Sequence, residues 1–161
     1  LIHAARRNMD LTVIMVNNMV YAMTGGQLAP TTPTGVYTTT TPRGNPERPI
    51  NVVKLVASLG ANYVARASVT HTALIVNYIY KALGKEGFKF VEVLSTCPEI
   101  FGRHIGIRDA VQLFMELRKK VRVKAKPSLD ESYYDWDKGF VLGEYVDKSE
   151  PGYLRMIGLL R

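Results

Sequence analysis

The residues with the clearest chemical potential lie between positions 16 and 35, which read VNNMVYAMTGGQLAPTTPTG. Asn17 and Asn18 close an apolar run. An amide oxygen such as that of Asn18 is a hard ligand, suited to Mg²⁺, which takes oxygens from side chains, backbone carbonyls and substrate phosphates. Paired asparagines after a strand also serve ordinary turn chemistry. Gly25 and Gly26 can let backbone approach a phosphate closely, or can simply form a flexible turn. Cys97 is the one cysteine of the chain and precedes a proline. It can be a small buried hydrophobe, a metal ligand or a nucleophile, the last requiring a histidine base from among His3, His71 and His104.

These residues need elements to hold them. LTVIMV, residues 11–16, is a continuous apolar run with β-branched members, which predicts a strand buried on both faces inside a parallel sheet. Before it, LIHAARRN reads as the later turns of a helix already begun, with Asn8 as its stop. Residues 24–48 contain four Pro, four Gly and eight Thr, too many breakers for regular structure, and a loop of that length in a compact domain is usually functional. Its near lack of charge predicts that it packs against something. PINVVKLVASLGA predicts a helix with Pro49 near its start, an apolar stripe of Val52, Leu55, Val56 and Leu59, and Gly60 at its C-terminal cap.

NYVARASV then predicts a strand, THTALIVNYIYKALGKEG a helix with Thr70 as cap and Gly87 as stop, and FKFVEVLST another strand. IRDAVQLFMELRKK predicts a third amphipathic helix. Alternating strands and helices give an α/β layered domain whose mostly parallel sheet carries helices on both faces. Ligands of such sheets sit outside the carboxyl ends of the strands, where Asn17 and Asn18 close the first strand and STCPE the last. Residues 122–161 lose clear periodicity and are expected as an extended C-terminal arm over the domain or a partner.

A length of 161 residues and 47% apolar content suit one globular domain, or a piece of one. No segment approaches the roughly 18 unbroken apolar residues of a membrane-spanning helix, and no signal-peptide pattern is visible. With a lone cysteine, this predicts a cytoplasmic protein with no membrane role. Lys and Arg exceed Asp and Glu by 21 to 14, a net charge of +7 that can steer anionic partners. Apart from RKKVRVKAK at 118–126 the basic residues are scattered, and no nucleic-acid-binding motif accompanies them.

Taken in order, LTVIMVNNMVYAMTGGQLAPTTPTG, TTTTPRGNPERPI, GANYVARA, GFKFVEVLSTCPEIFGR and GEYVDKSEPGYL closely resemble the beta subunit of 2-oxoacid:ferredoxin oxidoreductases, and within that family the 2-oxoglutarate type. The resemblance implies a thiamine-diphosphate-binding fold, of which residues 1–121 are the C-terminal part and 122–161 the arm. It implies that Asn18 ligates Mg²⁺ through its side chain, that Val20 adds a backbone carbonyl, and that Met23 and Thr24 lie against the cofactor. The Gly-Asp-Gly half of the family's motif is expected upstream of Leu1. Cys97, in STCPE, matches a ligand of a [4Fe-4S] cluster, whose other thiolates are likewise expected outside this segment.

The implied reaction is oxidative decarboxylation of 2-oxoglutarate with coenzyme A to succinyl-CoA, CO₂ and reduced ferredoxin, or its reverse, performed with alpha, gamma and delta subunits. No catalytic acid or base is assigned, because in this family the glutamate that activates the cofactor comes from a partner subunit. The same chemistry on 2-oxoisovalerate or another 2-oxoacid stands as an alternative. So do a basic binding module and an inactive structural fragment, since this segment lacks the Asp half of the motif and three of the cysteines.

Overall fold

A computed structural model describes residues 1–159. The chain opens with a short helix, α1 (Ile2–Arg6), which buries Ala5 and ends where Asn8 adopts a φ of 50°. Asparagine tolerates this left-handed conformation better than most residues, so it is the expected stop. The strands β1 (Thr12–Asn17), β2 (Tyr63–Ser68) and β3 (Lys89–Leu94) run parallel, with β3 in the middle. Two further strands, β4 (Val121–Val123) and β5 (Phe140–Asp147), complete a five-stranded sheet in the order β1-β3-β2-β5-β4. Only the β2–β5 pairing is antiparallel among those described, so the sheet is mostly parallel as expected.

Helix α2 (Val52–Ser58) is capped by Asn51, whose side chain accepts a hydrogen bond from the Lys54 backbone N–H, and Gly60 follows at a φ of +91°. Val52, Val53 and Val56 bury its inner face against Val64, Phe88 and Phe90. On the opposite face of the sheet, Tyr78 and Ala82 of α3 (Thr72–Leu83) pack on Tyr63, Ala65, Ala67, Val91 and Val93. The alternation 63, 65, 67 against one helix and 64 against the other is the period of two of a β-strand. Helices on both faces therefore follow from β2 and β3 being buried on both sides.

Helix α4 (Ala110–Lys120) is capped by Asp109, which accepts from the Gln112 N–H, and its Leu113 and Leu117 are buried. Leu117 joins a third core beyond the strand ends, made by Met19, Leu94, Phe101, Tyr134, Phe140 and Leu142. Helix α5 (Tyr153–Met156) lies near the end of the chain. No helix of the described residues is long and apolar enough to cross a membrane.

The structure corrects four expectations. β1 is an edge strand paired with β3 alone, so Ile14 and Val16, the latter 66% exposed, are not buried in a sheet interior. An unbroken apolar run gives burial on both faces only where both neighbouring strands and both layers are present. α3 starts at His71 without a side-chain cap, while Thr70 bonds the His71 ring instead. Its end comes at Leu83 and Gly84; Gly87, at φ +71°, belongs to the turn into β3. Residues 122–161, expected as an arm, supply β5, whose first four residues are buried between β2 and β4. The boundary placed at 121/122 falls at the start of β4.

Candidate functional site

The carboxyl ends of β1 and β3 meet in a turn and a cleft. β1 delivers Asn17, which is buried, and its Oδ1 accepts a hydrogen bond from the Met19 N–H at 3.0 Å. Asn18 is half-buried, and its own Oδ1 accepts from the Val20 N–H at 3.3 Å. Two successive asparagines thus each fold back on the backbone two residues on, the turn chemistry available to this residue type. Met19, between them, sits at a φ of 64°.

Asn18 and Val20 border two hollows. One, of about 580 Å³, is lined by Asn18, Val20, Tyr21, Met23, Thr24 and Cys97, with Glu99 and Ile100 at its side. The other, of about 630 Å³, also reaches Asn18 and Val20, and is walled by apolar side chains such as Ile2, Val16, Ile50 and Leu55. Neither lining contains a lysine or arginine. An anion placed across Asn18 would have to bring its own countercharge, since an uncompensated charge in a largely apolar hollow is strongly disfavoured.

The five residues singled out from the sequence therefore share one cleft. Met23 is fully exposed within it, and Thr24 is exposed too, its hydroxyl 3.4 Å from the Tyr21 carbonyl and 3.1 Å from Gln27 Oε1. Cys97 is half-buried at the start of a π turn (Pro98–Gly102), and no imidazole of the described residues hydrogen-bonds it, so the Cys–His nucleophile pairing is not formed. His104 instead packs edge-on against Tyr37 and beside Gly26. Gly26, at φ +87°, allows that approach: a Cβ there would meet Ile100 at 2.7 Å and His104 at 2.8 Å. The Gly25 and Gly26 N–H groups are bonded to the Ala22 and Tyr21 carbonyls, so these glycines serve the loop's own turn and offer no ready donors to a phosphate.

The oxygens present suit a magnesium ion in part. The Asn18 side-chain oxygen has a second lone pair beyond the one used by Val20 N–H, and the Val20 carbonyl is two residues away; both are hard donors. Among the described residues no group of three or more His, Cys, Asp or Glu side chains forms a metal cage. The remaining oxygens would come from phosphate, water or other protein. A single thiolate, Cys97, fits one corner of a four-cysteine cluster and no more.

Behind the turn lies a network that sequence reading missed. Glu92 and Arg66, from the middles of β3 and β2, are fully buried and form an ion pair with Arg66 Nε 2.6 Å from Glu92 Oε2. Glu92 Oε1 accepts from Asn17 Nδ2 at 2.8 Å. Arg66 also donates to the Ser132 carbonyl at 2.9 Å and lies over the Tyr134 ring, 5.2 Å from its centre. Burial works against the guanidinium's charge, yet Glu92 beside it keeps its pKa above the ordinary value. Burial and the Glu92 charge push the Tyr134 hydroxyl upward, keeping it neutral, and it donates to the Thr31 carbonyl at 3.1 Å. The available signal was a charged residue inside each of two apolar runs, YVARAS and KFVEVL.

Comparison with known proteins gives these features a setting. Residues 1–93 match the family model described as thiamine pyrophosphate enzyme, C-terminal TPP binding domain. The 2-oxoglutarate synthase subunit KorB of Methanothermobacter marburgensis is 40% identical over 151 residues, 94% of this chain and 53% of the relative. The corresponding subunit of Archaeoglobus fulgidus is 46% identical over 130 residues, covering 81% and 47%. The 2-oxoacid:ferredoxin oxidoreductase subunit beta of Saccharolobus solfataricus is 40% identical over 97 residues, covering 60% and 32%. In fold, the chain superimposes with a TM-score of 0.81 and 24% identity on a 2-oxoglutarate:ferredoxin oxidoreductase from Magnetococcus marinus, covering 97% of this chain and 53% of that one. The chain spans about half the length of the KorB relatives.

Proposed function

The chain belongs to the thiamine pyrophosphate enzymes, through their C-terminal TPP binding domain, and from that premise we propose that it is part of the beta subunit of a ferredoxin-dependent 2-oxoacid oxidoreductase. The assembled enzyme converts 2-oxoglutarate and coenzyme A to succinyl-CoA and CO₂ with reduction of ferredoxin, or runs in reverse, in the cytoplasm beside alpha, gamma and delta subunits. The carrying observation is the pair of hollows without lysine or arginine that meet at Asn18 and Val20, beyond the carboxyl ends of parallel strands. A diphosphate there needs a cation, and two hard oxygens are at hand for one.

In this reading the Asn18 side-chain oxygen and the Val20 carbonyl hold Mg²⁺, and Met23 and Thr24 lie along the cofactor. Thiamine diphosphate, when bound, supplies the electron sink for loss of CO₂ from a 2-oxoacid. The Pro- and Thr-rich loop beyond Gln27 excludes water from that chemistry. Its order comes from internal bonds, such as Asn45 Nδ2 to the Thr32 carbonyl at 2.9 Å and Thr38 Oγ1 to Thr41 Oγ1 at 2.6 Å. Cys97 contributes one thiolate to a [4Fe-4S] cluster, the other ligands lying outside this segment.

The name shared by the Methanothermobacter and Archaeoglobus relatives favours 2-oxoglutarate; the broader name of the Saccharolobus relative favours a wider 2-oxoacid range. The test is anaerobic turnover by the intact natural assembly, with ferredoxin reduction followed spectroscopically for 2-oxoglutarate, 2-oxoisovalerate and pyruvate. The expected result is reduction that requires thiamine diphosphate, Mg²⁺ and coenzyme A, and is fastest with 2-oxoglutarate. A faster rate with 2-oxoisovalerate would move the substrate assignment, and absence of reduction with all three would sink the reading.

A further inference from the structure

The turn that carries Asn18 and Val20 is held in part by groups, Thr32, Glu92 and Arg66, that line neither hollow. Met19 lies between them in the left-handed region, where a non-glycine residue is strained and persists only if its surroundings hold it. It is held at both ends. Its N–H donates to Asn17 Oδ1 at 3.0 Å, and its carbonyl accepts from Thr32 Oγ1 at 2.8 Å.

The first of these bonds requires one orientation of the Asn17 amide. With the amide turned over, its NH₂ would face the Met19 N–H, donor against donor. The orientation is decided from behind, because an ionised carboxylate only accepts and Glu92 Oε1 therefore takes the NH₂ side of Asn17. Arg66 occupies the other oxygen, its Nε–H donating to Glu92 Oε2 at 2.6 Å in a site without solvent. A buried ion pair is a poor source of stability compared with apolar packing. What it does supply here is direction.

We propose that Glu92, with Arg66 as counter-ion, is a positioning residue for the metal: through the Asn17 amide, and together with Thr32, it holds Met19 left-handed and so sets the Asn18 and Val20 oxygens relative to each other. The inference rests on the proposed role of this turn in holding Mg²⁺ and thiamine diphosphate.

The network responds to an isosteric substitution in an unusual way. In Glu92→Gln the single amide oxygen is claimed by Arg66 Nε–H, so the Gln NH₂ faces Asn17 and turns its amide over, which breaks the bond to Met19. Asn17→Asp alone sets two carboxylates against each other. Combined, the two changes restore both bonds, since the Gln NH₂ donates to one Asp oxygen, the other accepts from Met19 N–H, and the network as a whole keeps one negative charge.

The experiment is calorimetric titration of the assembled enzyme with thiamine diphosphate over a series of Mg²⁺ concentrations, which reads binding and not turnover. Each single variant is expected to raise the half-saturating Mg²⁺ about tenfold or more, the scale of a lost hydrogen bond to a charged group. The double variant is expected to return close to wild type, because the two sites couple directly. Thr32→Val, which leaves the ion pair untouched, is expected to raise it several-fold and keeps the test decisive should Glu92→Gln fail to assemble. Unchanged half-saturation in Thr32→Val or in a folded Glu92→Gln, or a double variant no better than the singles, would overturn the inference while leaving the functional reading intact. Wild-type enzyme showing no Mg²⁺-dependent binding would overturn both.

Discussion

The two ends of the sheet use the same residue type for different ends. At the amino ends of the parallel strands, Asn8 and Asn62 are buried, and apart from a 3.4 Å bond from Asn8 Nδ2 to Asn62 Oδ1 their amides terminate on backbone: Asn8 on the Phe88 N–H and the Pro151 carbonyl, Asn62 on the Glu86 and Glu150 carbonyls. Asp10 joins them, accepting from the Gly87 and Leu154 N–H groups at 2.8 and 3.0 Å. This end fastens the C-terminal segment and opens on no cleft that holds either asparagine. At the carboxyl ends Asn17 terminates on a buried ion pair, and Asn18 borders two hollows. Asparagine alone therefore identifies neither role; the partner of its amide does. Backbone partners suit a fastener, and a buried charge suits a device that must keep one direction.

Three measurements test this contrast. Arg66→Met leaves the Glu92 carboxylate buried without its partner, and removal of one member of such a pair costs about 3–5 kcal/mol. Denaturation should register that loss at the carboxyl end, and a change well below it would mean that the ion pair is not as isolated from solvent as its burial indicates. Asn62→Ala should cost about 1–3 kcal/mol through the carbonyls it strands, with the Mg²⁺ requirement of cofactor binding unaltered. A shifted requirement would show that the two ends are coupled through β2 and would dissolve the division drawn above.

The smallest effect concerns Asp10. The Gly87 and Leu154 backbone N–H groups lower its carboxyl pKa. A depressed folded pKa contributes stability above the unfolded value of about 3.9, and that contribution is lost as pH falls through the folded pKa. Wild type should therefore melt slightly higher than Asp10→Asn at neutral pH, and the gap should close in acid. A gap that persisted at low pH would assign Asp10 a role independent of its charge.

Much of the fold was legible because its signals are local. Val52 and Val56 on one side of a helix, Gly60 just past its end, and the β-branched runs of β2 and β3 each declare themselves within a few residues. Asn18 and Cys97 were legible as candidates from residue type and from family resemblance. The edge position of β1 was not, because an apolar run looks the same whether or not a neighbour covers it. Nor was β5, which follows the irregular stretch 124–139 and whose residues from Gly143 to Asp147 pair with β2, far back in the chain.

The amino-acid sequence by itself determined the alternation of strands and helices, the uncharged character of the long loop and the oxygen and sulfur atoms available for ligation. These depend on the order and type of neighbouring residues. Only the tertiary structure decided that Glu92 meets both Arg66 and Asn17, partners 26 and 75 positions away, and that Asn18 and Cys97 border one cleft. Such meetings follow from strand order and register, which the whole sheet sets at once by burying its two faces.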